Sequence, residues 1–206
     1  MRAFIRLFTG LVMITLAQIC AGQNIAGSAH DFSTASWNTS GEICIVCHTP
    51  HNADISVADA PLWNHETTMA TFTPYNSPTL DATTGEPSAS SKLCLSCHDG
   101  TVALDNFGGI TGGTNFISGG ALIGTDLMDD HPISFTYDDI LAAADGGLYD
   151  PTTSNSGLGS TITDDLLFAG QMQCASCHDV HNGSGIAKLL RIDNAGSNLC
   201  LTCHNK

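Results

Sequence analysis

The sequence CIVCH occupies residues 44–48, and the same arrangement recurs as CLSCH at 94–98, CASCH at 174–178 and CLTCH at 200–204. Two thiols at this spacing lie on one helical turn, where they reach the two vinyl groups of one porphyrin, and the next histidine lies beneath its iron. The pattern predicts four covalently attached c-type haems. The predicted attachment residues are Cys44, Cys47, His48, Cys94, Cys97, His98, Cys174, Cys177, His178, Cys200, Cys203 and His204.

Three other uses of cysteine are open to such a chain. Four disulfides would suit an exported protein, but they give no reason for a histidine directly after each second cysteine. Structural zinc held by four thiolates would leave the same histidines unexplained. A thioredoxin-like redox motif occurs once per domain on a βαβ frame, which this sequence lacks. Haem attachment accounts for every cysteine beyond residue 22.

The composition sets the class of protein. The 206 residues carry six basic and 20 acidic side chains, a formal net charge of −14. This balance argues against binding to nucleic acid, because a phosphate backbone requires a basic stripe that the chain lacks. Only 6% of residues are aromatic, while 21 are glycine, which predicts many turns and little continuous secondary structure.

The first 22 residues have the pattern of a secretory signal peptide. Arg2 and Arg6 precede an apolar run from Leu7 to Ile19, and cleavage is expected near Ala21-Gly22. Cys20 stands where a lipoprotein cysteine would be, although Gln18-Ile19 match that signal poorly. No other stretch is apolar enough to span a membrane. The expectation is an exported chain, 23–206, that forms one tetrahaem domain.

Each iron has a second axial position, which needs a ligand from elsewhere. The histidines outside the motifs are His30, His51, His65, His131 and His181. Four of them can make every haem bis-histidine, and the predicted distal ligands are His30, His51, His131 and His181, with His65 as the spare. His51 and His181 each follow a motif histidine by three residues, too close to reach the opposite face of the same haem. Each is therefore expected to ligate a neighbouring haem.

The expected fold is that of a multihaem cytochrome c, with little regular secondary structure. Short helices at the CxxCH motifs would be joined by loops wrapped around a haem chain that takes the place of a core. Val102–Leu104 and Ile133–Tyr137 are candidate strands, Asp138–Asp145 is a candidate helix, and Ile186–Ile192 is either a helix or an extended segment. Because all four motifs end in histidine and distal ligands are plentiful, the residues favour an electron carrier over an enzyme.

Several segments together resemble exported multihaem cytochromes of metal-reducing bacteria. They are CIVCHTPHN at 44–52, PLWN at 61–64, LCLSCHDGTVA at 93–103, DHPISF at 130–135, CASCHDVHN at 174–182 and the closing LCLTCHNK. In length and haem count the chain is similar to the tetrahaem subunits of extracellular cytochrome filaments, the OmcE-type nanowires.

The resemblance implies head-to-tail self-association and electron transfer through closely packed haems to an external acceptor. It also implies that one distal histidine crosses the joint between subunits, with His51 the first candidate and His30 the second. Redox partner cytochromes and an extracellular or cell-surface location follow from it. A monomeric periplasmic or surface shuttle carrying the same four haems is the alternative. A multihaem reductase is a third hypothesis.

Overall fold

The computed structural model describes residues 24–58 and 60–206. The predicted signal peptide, with Cys20 and its cleavage site, lies outside the described residues. None of the helices in the described part is both long and apolar enough to cross a membrane.

Regular secondary structure is sparse in the part of the chain that the structure describes, where the longest element is the helix α1, Ala89–His98. The other helices are α2, Asp139–Asp145; α3, Ile162–Leu166; α4, Cys174–Cys177; and α5, Asn198–Cys203. Short 3₁₀ turns occur at Gly119–Ala121, Ala187–Leu189 and Ala195–Ser197. The two strands, β1 at Phe135–Thr136 and β2 at Gln171–Met172, pair antiparallel, with Phe135 opposite Met172.

The helix boundaries follow from local capping. The side chain of Asp138 accepts a hydrogen bond from the backbone N–H of Leu141 at 2.8 Å, which begins α2. Gly146 ends α2 in the left-handed conformation, with φ of 68°. The side chain of Thr161 caps α3 through the N–H of Asp164. These short polar signals can be recognised in the sequence.

Buried polar contacts join α1 to α4, the helices that carry the second and third motifs. The hydroxyl of Ser91 accepts the backbone N–H of Cys174 at 2.9 Å. The side chain of Gln173, only 1% exposed, reaches the Ser134 hydroxyl and the backbone N–H of Ser91. Because these polar groups satisfy one another away from water, they fix the relative position of the two motifs.

Apolar packing in the described residues is divided among three small clusters. The largest joins β1, β2, α2 and α3, and contains Phe135, Tyr137, Ala142, Ile162, Leu166, Leu167, Met172 and Ile192. The second is formed by Val57, Trp63 and Leu93, and the third by Phe72, Leu95 and Leu127. Each cluster lies beside at least one motif.

Most of the expected elements are present. Asp139–Asp145 is helical within the predicted Asp138–Asp145, and strand β1 lies within Ile133–Tyr137. The segment Val102–Leu104 is not a strand, so that prediction is wrong. Its Leu104 N–H bonds to the carbonyl of Asn115, a single contact between two loops that is not extended into a ladder. Ile186–Ile192 begins with a 3₁₀ turn rather than a regular helix.

Candidate haem-binding site

All four CxxCH motifs fold into one helical turn. The backbone N–H of the motif histidine bonds to the carbonyl of the first cysteine at 2.9 Å in the first motif and at 3.0 Å in the third and fourth, while the second motif ends α1. In the first motif this turn stands alone, without a longer helix. The two cysteines and the histidine therefore lie on one side of the turn, as attachment to one porphyrin requires.

Backbone carbonyls orient three of the motif histidines. The Nδ1 atom lies 2.6 Å from the Pro61 carbonyl oxygen in His48, 2.7 Å from that of Ala121 in His98, and 3.0 Å from that of Lys188 in His178. A ring that donates Nδ1–H to a carbonyl presents Nε2 as the bare nitrogen. This is the arrangement that metal-ligating histidines commonly adopt.

Three motif histidines each face a histidine from outside the motifs. The ring-centroid distances and interplanar angles are 6.0 Å and 53° for His30 and His98, 6.1 Å and 15° for His48 and His181, and 6.4 Å and 76° for His131 and His204. The separations of the ring centroids are thus nearly equal in the three pairs, while the angles between the ring planes differ.

The spacing of the rings fits an iron atom held between two imidazoles. Metal–imidazole bonds of about 2 Å on both sides place the two ring centroids about 6 Å apart. The surroundings of His30 fit as well, since its Nδ1 is buried without a hydrogen-bond partner among the described residues. Burial and the neighbouring His98, His178 and His181 lower the pKa of His30 to about 4. A neutral imidazole is the form that binds a metal.

His178 and His51 are not paired in this way. No other imidazole forms a ring pair with His178 within the described part of the chain, although His178 has the same carbonyl support as His48 and His98. His51 is exposed on the loop after the first motif, where its backbone contacts only the side chain of Thr49. Of the predicted distal ligands, the structure brings His30, His131 and His181 to motif histidines and leaves His51 apart.

His65 is buried in a different environment. It is 2% exposed, and its two ring nitrogens lie 2.9 Å from the Glu66 carbonyl oxygen and 3.1 Å from that of Ala103. The sulfur of Cys97 is 3.6 Å from Nε2. With both nitrogens facing backbone oxygens, this ring packs at the side of the second motif and has no nitrogen directed toward another imidazole.

Consecutive motifs are neighbours in space. Cys47 of the first motif packs in the cluster that contains Leu93 of α1. The second and third motifs meet where α1 packs on α4. Met172, two residues before the third motif, and Cys203 of the fourth pack in the largest cluster. The motifs thus follow one another through the fold in the order of the sequence.

The cysteines form no disulfides in the described residues, where all eight have free thiols. Burial raises the pKa of Cys47 to about 11 and that of Cys97 to about 12. Both side chains are thus largely withdrawn from solvent within their motifs. No group of three or more His, Cys, Asp or Glu residues in the described ranges could hold a metal ion by itself.

Comparison with known proteins bears on the last part of the chain. Residues 168–206 match the family model described as the doubled CXXCH motif. The match indicates a multihaem c-type cytochrome. It covers the third and fourth motifs with His181 between them, and it supports covalently bound haem c and electron transfer as the chemistry of these motifs. No curated protein matches the chain.

Some of the supporting groups could not be found by reading motifs. The carbonyls of Pro61, Ala121 and Lys188 carry no sequence signal, because every residue has one. Asp179 has such a signal, since it stands two residues before His181, as Asp31 stands one residue after His30. Only Asp179 has a carboxylate near the ring of its histidine. The carboxylate of Asp31 binds Gly27 and Ser33 instead.

Proposed function

We propose that this protein transfers electrons through four covalently attached haems, one at each CxxCH motif, and is not an enzyme. The observation that carries the proposal is the set of three imidazole pairs, each with the spacing of two axial ligands on one iron. When bound, each haem supplies an iron that is reversibly oxidised and reduced by one electron. Two nitrogen ligands on each iron would favour low potentials, because a methionine ligand raises them.

The chain's own residues would fix the distance and orientation of the redox centres. The Ser91 and Gln173 contacts hold α1 against α4, and carbonyls hold three motif histidines in place. Little reorganisation of these groups is needed when charge changes, because they are packed and hydrogen-bonded beforehand. The sequential neighbours among the motifs support one continuous electron path from the first motif to the fourth.

We further propose that the protein is a subunit of an extracellular conductive filament. The support is the combination of His178, which has carbonyl support but no ring partner, and the exposed His51. In a head-to-tail polymer His51 of one copy would supply the second ligand at His178 of the next. Such a contact is heterologous and does not close on itself, which is the property that produces filaments. His30 is a weaker candidate for the joint because it already faces His98.

The exported protein would be located at the cell surface or outside the cell. There the filament would receive electrons from redox partner cytochromes and pass them to external acceptors. The alternative is a monomeric electron shuttle in the periplasm or at the cell surface. It would carry the same four haems as the filament subunit but would not polymerise. The unpaired His178 also admits a reductase, in which the iron at that site would bind a small substrate. Assembly and ligand binding distinguish these functions.

The test is electron microscopy of haem-stained protein sheared from cells, with the wild type, His51→Ala and His181→Ala compared. The wild type is expected to form uniform filaments with entirely low-spin iron. His51→Ala should give small particles in which one iron per chain binds carbon monoxide. His181→Ala should alter one iron even in single particles, because its partner His48 belongs to the same chain.

Other results would favour the alternatives. Filaments of His51→Ala with unchanged spectra would exclude His51 from the joint. Small wild-type particles over a range of salt and pH would favour the shuttle. If those particles also bind and reduce nitrite at one iron, the reductase would be favoured.

A further inference from the structure

Asp179 occupies a distinctive position next to the His48 and His181 pair. Its Oδ1 atom accepts the backbone N–H of His181 at 3.0 Å and lies 3.7 Å from Nδ1 of the same residue. Its Oδ2 atom accepts the backbone N–H of Gly183 at 2.8 Å. One carboxylate thus holds the turn that carries His181 and also places negative charge beside the ring.

The turn is shaped to keep this carboxylate in place. A Cβ atom at position 183 would lie 2.9 Å from Oδ2 of Asp179, so glycine leaves the space that the carboxylate fills. The backbone N–H of Asp179 is anchored on the Leu189 carbonyl at 2.7 Å. The side chains of Asp179 and His181 are 32% and 41% exposed, so solvent weakens their interaction without removing it.

The other two paired distal histidines have different partners at Nδ1. The Nδ1 of His131 lies 2.9 Å from the Pro132 carbonyl oxygen, and the Nδ1 of His30 is buried without a partner. Of these three distal rings, only that of His181 has a carboxylate oxygen within 4 Å of its Nδ1 among the described residues.

We propose that Asp179 is a positioning residue for His181 whose charge lowers the reduction potential of the His48–His181 site. The inference rests on the proposed haem-binding function. A distance of 3.7 Å is longer than a hydrogen bond, so the carboxylate acts on the neutral imidazole through its charge. Negative charge beside the ligand favours the oxidised iron, which carries one more positive charge than the reduced iron.

The test is a redox titration of the holoprotein, followed by NMR so that each haem is resolved, in the wild type and Asp179→Asn. The asparagine removes the charge but can still accept a backbone hydrogen bond. One midpoint potential should shift upward, with the other three unchanged and all irons still low-spin. Asp31→Asn is the matched control, because Asp31 is next to His30 and carries the same charge but binds Gly27 and Ser33. It should leave the four potentials unchanged.

Gly183→Ala provides a second variant if Asp179→Asn fails to mature. The added methyl group displaces the carboxylate without removing it, and the same potential should shift upward by a smaller amount. An unchanged potential in the variant that matures would overturn the inference. So would an equal shift in Asp31→Asn, or loss of the low-spin signal at one iron, which would make Asp179 purely structural. A wild-type protein without low-spin haem would instead refute the proposed function.

Discussion

The imidazole rings of His48 and His181 are nearly parallel, with 15° between their planes and 6.1 Å between their centroids. The planes of the His131–His204 pair are inclined by 76°, at nearly the same separation. The spacing of the pairs is thus almost constant, while their orientation is not. Ring orientation determines how ligand π orbitals split the iron d orbitals, so these sites should be spectroscopically distinct.

We expect EPR spectra of the oxidised holoprotein to contain both common kinds of bis-histidine signal. The His48–His181 site should give a rhombic spectrum, because parallel rings separate the energies of the two iron d orbitals that overlap with the ring π systems. The His131–His204 site should give a spectrum dominated by one large g value, because perpendicular rings leave those orbitals nearly degenerate. In His131→Ala the large-g signal should disappear and the rhombic signal remain; the reverse result would contradict the pairing.

Replacing His131 with methionine should raise the midpoint potential of one haem. A thioether ligand favours the reduced iron relative to an imidazole. Met128→Leu, three residues earlier on the same exposed loop, is the control and should leave all potentials in place. A spectroelectrochemical titration measures the effect, and an unchanged set of potentials in His131→Met would show that His131 is not a ligand.

His65 should contribute to stability and not to iron ligation. His65→Ala removes a buried ring and the one N–H that it donates to a backbone carbonyl, at a cost of about 2–4 kcal/mol in the free energy of unfolding. Guanidinium denaturation of the holoprotein measures this loss, and the visible spectrum should stay low-spin. His51→Ala, at an exposed position, should change the unfolding free energy of the single subunit by only about 0.5 kcal/mol. A high-spin iron in His65→Ala would restore His65 as a ligand.

The largest apolar cluster should be sensitive to cavities. Ile162 is 0% exposed, and Ile162→Ala is expected to cost about 2–5 kcal/mol, since it loses apolar burial and leaves a void. Ile140 is 73% exposed on α2, and Ile140→Ala should cost no more than about 0.5 kcal/mol. Chemical denaturation of both variants gives the comparison, and equal costs would argue against this packing.

Acid should destabilise the protein through its aspartate turns. The backbone and side chain of Ser56 donate hydrogen bonds that hold the pKa of Asp54 below its ordinary 3.8, and Ser33 and Gly27 do the same for Asp31. A folded-state pKa below the unfolded one gives stability that is fully present above about pH 4 and is lost as the pH falls through the lower value. Denaturation midpoints measured between pH 2.5 and pH 7 should be constant above about pH 4 and should fall below it. Asp54→Asn should reduce the slope there, and an unchanged slope would contradict its role.

Local features of the sequence predicted the attachment turns and helix α2, because each depends on residues within one or two turns. Cys44 and His48, for example, need only one backbone hydrogen bond to take their positions. Pairing of distal histidines was beyond such reasoning. His181 follows His48 by 133 residues, and the tertiary fold of the chain between them brings the rings together. The sequence also did not show which aspartate lies beside a histidine ring. Asp31 and Asp179 are both close to a histidine in the sequence, but the carboxylate of Asp31 binds Gly27 and Ser33, whereas that of Asp179 lies beside the His181 ring.

The long separation between His48 and His181 has a consequence for biosynthesis. A ribosome completes the first motif long before it adds the residue that faces it, since synthesis proceeds from the N-terminus to the C-terminus. The site at the first motif therefore stays incomplete until His181, 133 residues later, has been synthesised. Truncation anywhere before residue 181 leaves this early site without its second histidine.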